Sequence, residues 1–311
     1  MEEDYPRTLL ELERRFSNEE ACIEYLADLR WPEGWKCPRC AAKAGWSIRR
    51  NRWLCGDCRY EMSVTAGTIF QDSHLPLVVW FRAVWQLTSQ KNGISALGLQ
   101  RVLGLGSYKT AWAMLHKLRR AMVRPGRDRL AGIVEVDETY WGAEEHGVIG
   151  RLTESKALIA VAVEEDGRGI GRIRLRTIPD LQRATLHCFI AASIKPGSTV
   201  RTDGFSAYLE MNGYVHQRHV QTEQPEDEHV LPRVHRVIGL LKRWMMGTHQ
   251  GAISQDHLDD YLDEFTFRFN RRKSASRGKL FYRLMQQAVQ IDPVPFVKLT
   301  KPLQVGPGGV K

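Results

Sequence analysis

Gly132-Ile133-Val134-Glu135-Val136-Asp137-Glu138-Thr139 is the stretch on which the reading of this chain turns. Its apolar residues lead into a pair of carboxylates, which predicts a buried strand ending in an acidic group. Working outward, Ala157-Leu-Ile-Ala-Val-Ala-Val-Glu164 predicts a second, fully buried strand. Asp166-Gly-Arg-Gly169 predicts a hairpin turn, and Gly171-Arg-Ile-Arg-Leu-Arg-Thr-Ile178 alternates as a third strand. A helix is expected over about residues 180–193. Ser198-Thr-Val-Arg-Thr-Asp203 is a fourth strand and, like the first, ends in an aspartate. Two further helices are expected over residues 231–246 and 255–272. Three strands, a helix, a fourth strand and late helices describe a mixed α/β domain.

Upstream the texture is helical and interrupted. Residues 7–29 read as helices, with Ser17 as N-cap and Glu20 closing a capping box. Trp31-Pro-Glu-Gly-Trp35 breaks them and leads to a cysteine region over 37–58, followed by a closing strand and turn over 59–66. Residues 76–124 are helical again. Ile94–Leu103 and Ser107–Arg119 flank Gly104-Leu-Gly106, which fits a helix-turn-helix and fits a plain helical hairpin equally. The second of these helices carries Lys109, Lys117, Arg119 and Arg120. Pro125-Gly-Arg-Asp-Arg129 is a linker, and the tail after Pro293, with Pro295, Pro302 and Pro307, is expected to be extended or disordered. The expected organisation is multidomain α+β. Residues 1–70 form N-terminal helices with a metal ribbon, 71–127 a helical DNA-binding region, 128–275 the mixed α/β domain, and 276–311 a C-terminal helix and tail.

The 311 residues are 43% apolar and 26% charged, an ordinary globular balance, with a net charge of +9. Excess cations suit a polyanionic partner, although many soluble proteins are as basic. The start is acidic and amphipathic, unlike a signal peptide, and the apolar run Leu75–Phe81 is too short to span a bilayer. A cytoplasmic protein with reduced thiols is therefore expected, and paired cysteines read as metal ligands.

Cys37-Pro-Arg-Cys40 and Cys55-Gly-Asp-Cys58 are two Cys-x-x-Cys knuckles with fourteen residues between them. Four thiolates suit a closed, tetrahedral structural Zn²⁺ site. Cys22 and Cys188 stand alone and read as small buried hydrophobes. Lys36, Arg39, Lys43, Arg49, Arg50, Arg52 and Arg59, interleaved with Trp35, Trp46 and Trp53, make the ribbon a candidate nucleic-acid surface, with a purely structural ribbon as the rival.

Asp137 and Asp203, each at a strand end, can share one rim of a sheet and hold Mg²⁺ through hard oxygens, with Mn²⁺ able to substitute. Aspartate is also simply favoured in turns. Pro232-Arg-Val-His235-Arg-Val-Ile-Gly-Leu-Leu-Lys242 starts a helix at proline, with His235, Gly239 and Lys242 on one face and Val234, Ile238 and Leu241 elsewhere. That face reads as a metal ligand beside a phosphate-binding lysine, or as a surface histidine and a solvated lysine.

Taken with Trp35-Lys-Cys-Pro-Arg-Cys40, Cys55-Gly-Asp-Cys-Arg-Tyr60, Ser63-Val-Thr-Ala-Gly-Thr-Ile-Phe70, Val136-Asp-Glu-Thr-Tyr-Trp-Gly142, Arg201-Thr-Asp-Gly-Phe-Ser-Ala-Tyr208 and Tyr261-Leu-Asp-Glu-Phe-Thr-Phe-Arg-Phe-Asn-Arg-Arg272, these features resemble bacterial insertion-sequence transposases of the DDE type with an N-terminal zinc ribbon, the ISXO2-like family. The resemblance runs from about Ser17 to Arg272. It implies a ribonuclease-H-like catalytic core with Asp137 and Asp203 as the first two catalytic acids and Lys242 on phosphate. It also implies cleavage and strand transfer at the terminal inverted repeats of a mobile element, double-stranded DNA as partner and target, and a homo-oligomer on DNA. The chain departs at the third acid, where His235 replaces the glutamate seven residues before the lysine. Glu138, Asp227 and Glu228 are the reserve carboxylates. Leu240 stands where close relatives carry asparagine. These departures keep a second reading in view, a transposase-derived zinc-ribbon regulator that binds DNA without cutting it, and a third, a nuclease without strand transfer.

Overall fold

The computed structural model describes residues 3–48, 51–124, 126–142, 156–220 and 230–300. The chain folds as two compact units, one from residues 1–125 with 273–311 and one from 126–272. Arg49, Arg50, Asp227, Glu228, Pro302 and Pro307 lie outside the described residues.

The first unit opens with α1 (Leu9–Arg15) and α2 (Glu19–Arg30). Asn18, not Ser17, caps α2; its side chain accepts from the Ala21 amide at 2.9 Å. Asparagine is at least as good an N-cap as serine, its carbonyl oxygen reaching the same amide, so the boundary moves by one residue. The ribbon follows as β1 (Gly45–Ile48), β2 (Arg52–Cys55) and β3 (Glu61–Ser63), paired antiparallel in that order. Next come α3 (Leu77–Ser89), α4 (Ala96–Leu103) and α5 (Tyr108–Arg120). Pro76 leaves α3 without a side-chain cap of its own. Glu19 supplies one from α2, its carboxylate accepting from the Leu77 and Val78 amides at 2.9 and 3.3 Å. Gly104 ends α4 in the left-handed conformation at φ 63°, as a glycine C-cap does. The chain returns to this unit as α9 (Arg277–Ala288), whose Phe281 packs among Phe16, Tyr25, Phe81 and Trp85. A short α10 (Phe296–Thr300) occupies a stretch expected to be extended or disordered, and buries its own Leu299.

The second unit contains β4 (Ile133–Trp141), β5 (Ala157–Asp166), β6 (Gly169–Ile178), α6 (Arg183–Ser193), β7 (Thr199–Thr202), β8 (Val215–Arg218), α7 (Pro232–His249) and α8 (Leu258–Asn270). The sheet order is β6-β5-β4-β7-β8, with β4, β5 and β6 antiparallel and β7 and β8 parallel to β4. This is the ribonuclease-H-like arrangement. Val134, Val136, Ala160, Ala162 and Val200 face α6 and its Leu186, Phe189 and Ile190. Ile159, Val161, Val163, Ile173 and Leu175 face the other way, against Val234, Val237 and Leu241 of α7 and Leu262 and Phe265 of α8. Each fully buried Val, Leu or Ile contributes roughly 1.5–3 kcal/mol of transfer free energy, so both sheet faces are strongly specified.

The Tyr261–Arg272 motif finds a structural explanation here. β6 is an edge strand, and α8 satisfies its outward backbone. Asn270 Oδ1 accepts from the Ile173 amide at 2.7 Å while its Nδ2 donates to the Ile173 carbonyl at 3.2 Å. Asp259 accepts from the Thr177 amide and hydroxyl at 2.9 and 2.7 Å, and Arg272 donates to the Ile170 and Gly171 carbonyls. The motif, with Asp259 just before it, closes an edge that would otherwise offer a pairing surface.

Candidate active site

Asp137 is not at a strand end. β4 continues to Trp141, while the parallel ladder with β7 pairs Ile133, Val134 and Glu135 with Thr199, Val200 and Arg201. Extending that register by two residues brings Asp137 level with Asp203, just past the end of β7 and on the same face of the sheet. Each carboxylate has one oxygen fixed by a backbone amide: Asp137 Oδ1 accepts from Glu138 N at 2.9 Å, and Asp203 Oδ1 from Phe205 N at 3.0 Å. This is also the face that α7 covers.

α7 brings His235 to the pair, with Nε2 3.2 Å from Asp137 Oδ2. The hydrogen bond to Asp137 draws the imidazole above its ordinary pKa. Partial burial opposes the rise, and the charges of Asp137, Glu135 and Asp203 add to it. Lys242 lies exposed on the same stripe of α7, two turns and about 10 Å along the axis from His235. Among the described residues, no third His, Cys, Asp or Glu joins Asp137 and Asp203 in a three-ligand cluster within 4.8 Å. Glu138, a reserve carboxylate, is committed elsewhere: Tyr208 donates to its Oε2 at 2.7 Å. Burial first, then the charges of Glu138, Asp137 and Asp203, push the Tyr208 phenol well up, so it stays a proton donor.

Glu135 is the residue whose part the sequence left unread. Its carboxylate is buried, 2% exposed, and accepts from the Arg233 and Val234 amides at 2.8 Å each. These are first-turn donors of α7, which has no side-chain cap of its own and begins after Leu231 in a left-handed conformation, φ 54°. A carboxylate there satisfies orphan N–H groups and answers the positive end of the helix dipole. Arg233 completes the join, 3.1 Å from Glu135 and 2.9 Å from Glu165, and Arg201 pairs with Glu165 in turn. An alternating chain of charge thus ties β4, β5, β7 and α7 together and sets His235, two residues past Arg233, against Asp137. The one sequence signal was that an acid occupies an inward-facing position of a strand whose neighbours are valines.

In the first unit, the four ribbon cysteines converge. Their sulfurs lie within 4.8 Å of one another, Cys37 to Cys58 at 3.6 Å and Cys40 to Cys55 at 3.5 Å. Tetrahedral zinc with Zn–S bonds near 2.3 Å requires sulfurs about 3.8 Å apart, so this donor set fits zinc in both geometry and chemistry. Trp35, Cys37 and Cys55 form the ribbon's core, with Trp31 and Trp53 packed against it, their own rings tilted at 5.1 Å from each other. Two of the three ribbon tryptophans are therefore packing residues, whereas Trp46 is 49% exposed, as Lys36, Arg39, Lys43, Arg52 and Arg59 of the ribbon are also exposed. On α5, Arg119 is buried at 1% exposure against His116 and cannot face DNA, while Tyr108 and Lys109 are open at its first turn. The lone Cys22 is fully buried, as expected, but Cys188 is exposed. No helix among the described residues is long and apolar enough to cross a membrane.

Residues 129–270 match the family described as the ISXO2-like transposase domain, and residues 17–61 match the transposase zinc-ribbon domain. A protein of Halobacterium salinarum, described as an uncharacterized protein in transposable element ISH50, is 29% identical over 280 residues, 82% of this chain and 92% of that one. Among solved structures, the catalytic core domain of BIV integrase matches at 16% identity over 47% of this chain and 86% of that one. Its TM-score is 0.30. The two domain matches together span about three fifths of the chain, and the chain carries a transposase zinc-ribbon domain followed by an ISXO2-like transposase domain.

Proposed function

We propose that this protein is a metal-dependent DNA strand transferase that cuts and joins the ends of an insertion sequence. One observation carries the reading: Asp137 and Asp203 share a sheet face beneath α7, with His235 at 3.2 Å from Asp137. Two hard carboxylates, each pre-oriented by a backbone amide, fit divalent Mg²⁺, which takes oxygen ligands and keeps several waters; Mn²⁺ fits the same donors. Bound there, such ions would lower the cost of forming a nucleophilic oxygen and of expelling the leaving oxygen at a phosphodiester.

The protein's own side chains do the rest. Asp137 and Asp203 are the catalytic acids. His235 stands in the glutamate position and orients Asp137 or touches the scissile phosphate, since imidazole is a poor Mg²⁺ ligand. Lys242 holds a neighbouring phosphate. Cys37, Cys40, Cys55 and Cys58 hold one structural Zn²⁺ that keeps the ribbon folded. The ribbon within residues 1–70 and the helical region 71–127 bind terminal inverted repeats through exposed cations, and residues 128–275 carry the chemistry. Paired ends call for a homo-oligomer acting on nucleoid DNA in the cytoplasm.

A second reading, a DNA-binding regulator derived from a transposase, is favoured by His235 in place of a third carboxylate. Incubating the protein with Mg²⁺, supercoiled plasmid and a duplex of the sequence flanking its gene decides among joining, cutting alone and binding alone. Joined products support the proposal. Binding without cleavage in Mg²⁺ or Mn²⁺ rejects it in favour of the regulator.

A further inference from the structure

Glycines inside helices usually have a local reason, and two in this chain show it. In α9, a Cβ on Gly278 would sit 1.7 Å from the Pro6 carbonyl oxygen. In α4, one on Gly98 would press on Ile94 at 3.1 Å. Gly239 has no such reason. It lies in the middle of α7, its φ is not positive, and it is exposed; among the described residues, a Cβ there would meet nothing within 4 Å. An exposed mid-helix glycine weakens a helix relative to alanine. Gly247 is equally open but lies two residues from the helix end, where the penalty is smaller.

The position of Gly239 supplies what the packing does not. It falls one turn beyond His235 and one turn before Lys242 on the stripe that begins at Asp137, and exposed Arg236 and Arg243 flank it. A gap without a side chain, bordered by cations, lets a phosphate backbone come against the helix itself.

Building on the strand-transferase reading, we propose that Gly239 is where the DNA strand held at Asp137 and Asp203 crosses α7 at closest approach, with Lys242 and the flanking arginines gripping its phosphates. The glycine is thus a positioning residue, selected for the space it leaves.

Gly239→Ala and Gly239→Leu in the full chain test this. Alanine should raise the thermal midpoint by about 2–4 °C, because helix propensity improves and nothing clashes. The same variant should lose ~10- to 100-fold in joining, the scale for displacing a substrate by about 1 Å, and leucine should lose more. A readout independent of catalysis is maleimide labelling of Gly239→Cys, followed by mass spectrometry of its peptide. Duplex DNA should slow it markedly. Parental joining by both variants, a lowered midpoint for Gly239→Ala, or labelling indifferent to duplex DNA would each overturn the proposal. Failure of the underlying reading looks different: the unsubstituted protein itself would then bind duplex DNA without joining ends.

Discussion

The ribbon and the carboxylate site are both places where this chain gathers groups able to bind metal, and they are built in opposite ways. The ribbon draws four sulfurs from two tight knuckles close in sequence, and the sulfurs meet at 3.5–3.6 Å. The carboxylate site draws Asp137 from β4, Asp203 from the end of β7 and His235 from α7. Glu135, 98 residues before Arg233, holds α7 in place. A local site stands or falls with its metal, because the metal supplies most of the folding free energy. A distributed site stands with the fold, because packing has already paid the entropy of bringing its parts together.

The sharpest way to break that contrast is to remove the zinc. Chelation, or Cys55→Ser, should unfold the ribbon, since apparent binding free energies of such sites are about 10–16 kcal/mol. Metal analysis should show about one zinc per chain before and none after, as four thiolates imply. Limited proteolysis should then cut within residues 37–58 while residues 126–272 stay resistant. A ribbon that stays protected without metal would erase the distinction.

Asp203→Asn is the matching experiment at the other site, and its expected signature is the reverse. Joining should fall at least ~100- to 1,000-fold, the scale for losing one electrostatic contact to the reacting centre. The thermal midpoint and DNA binding should hold, because the amide keeps the shape. Equal loss of DNA binding would mark the residue as structural.

Glu135→Gln probes the join that makes the distributed site possible. The amide oxygen can still accept from α7, but the ion pair with Arg233 is lost in a buried setting. Denaturant titration should register a loss of about 1–3 kcal/mol, accompanied by weakened joining. A variant as stable and active as the parent would show that α7 is held by packing alone.

The smallest expected change belongs to His235. His235→Ala should lower joining ~10-fold, near the lower end for a positioned acid–base group, with folding unchanged because the side chain is 54% exposed. His235→Glu, which restores an oxygen donor, should keep more activity than alanine. Ends joined by His235→Ala at the parental rate would leave the histidine a surface residue.

Much was legible in advance where the information is local. The two Cys-x-x-Cys knuckles needed only their spacing. The Ala157–Glu164 run and the Asp166-Gly-Arg-Gly169 turn marked β5 and the β5–β6 hairpin from apolar continuity and turn chemistry. Other features depended on partners distant in sequence. β8 has no apolar alternation, and only its pairing with β7 makes it a strand. Tyr208 looked like one more motif residue until the fold placed it on Glu138 and so removed that carboxylate from the metal candidates. Arg119 looked like a DNA contact until burial placed it beside His116.

Spacing and periodicity alone were enough to single out the cysteine pairs and the two aspartates as candidates, to place the proline start of α7, and to put His235, Gly239 and Lys242 on one face. Periodicity and spacing are properties of a segment, and a segment carries them wherever it folds. Which contact each acid makes depends on the folded arrangement. Glu135, Asp137 and Glu138 are consecutive or nearly so and chemically alike, yet Glu135 caps a helix, Asp137 meets His235 and Glu138 takes a tyrosine hydroxyl. The strand's alternation sends Glu138 to the opposite face from the other two. Which helix covers each face, and where on it a backbone amide or an imidazole waits, is set by contacts between residues far apart in the chain.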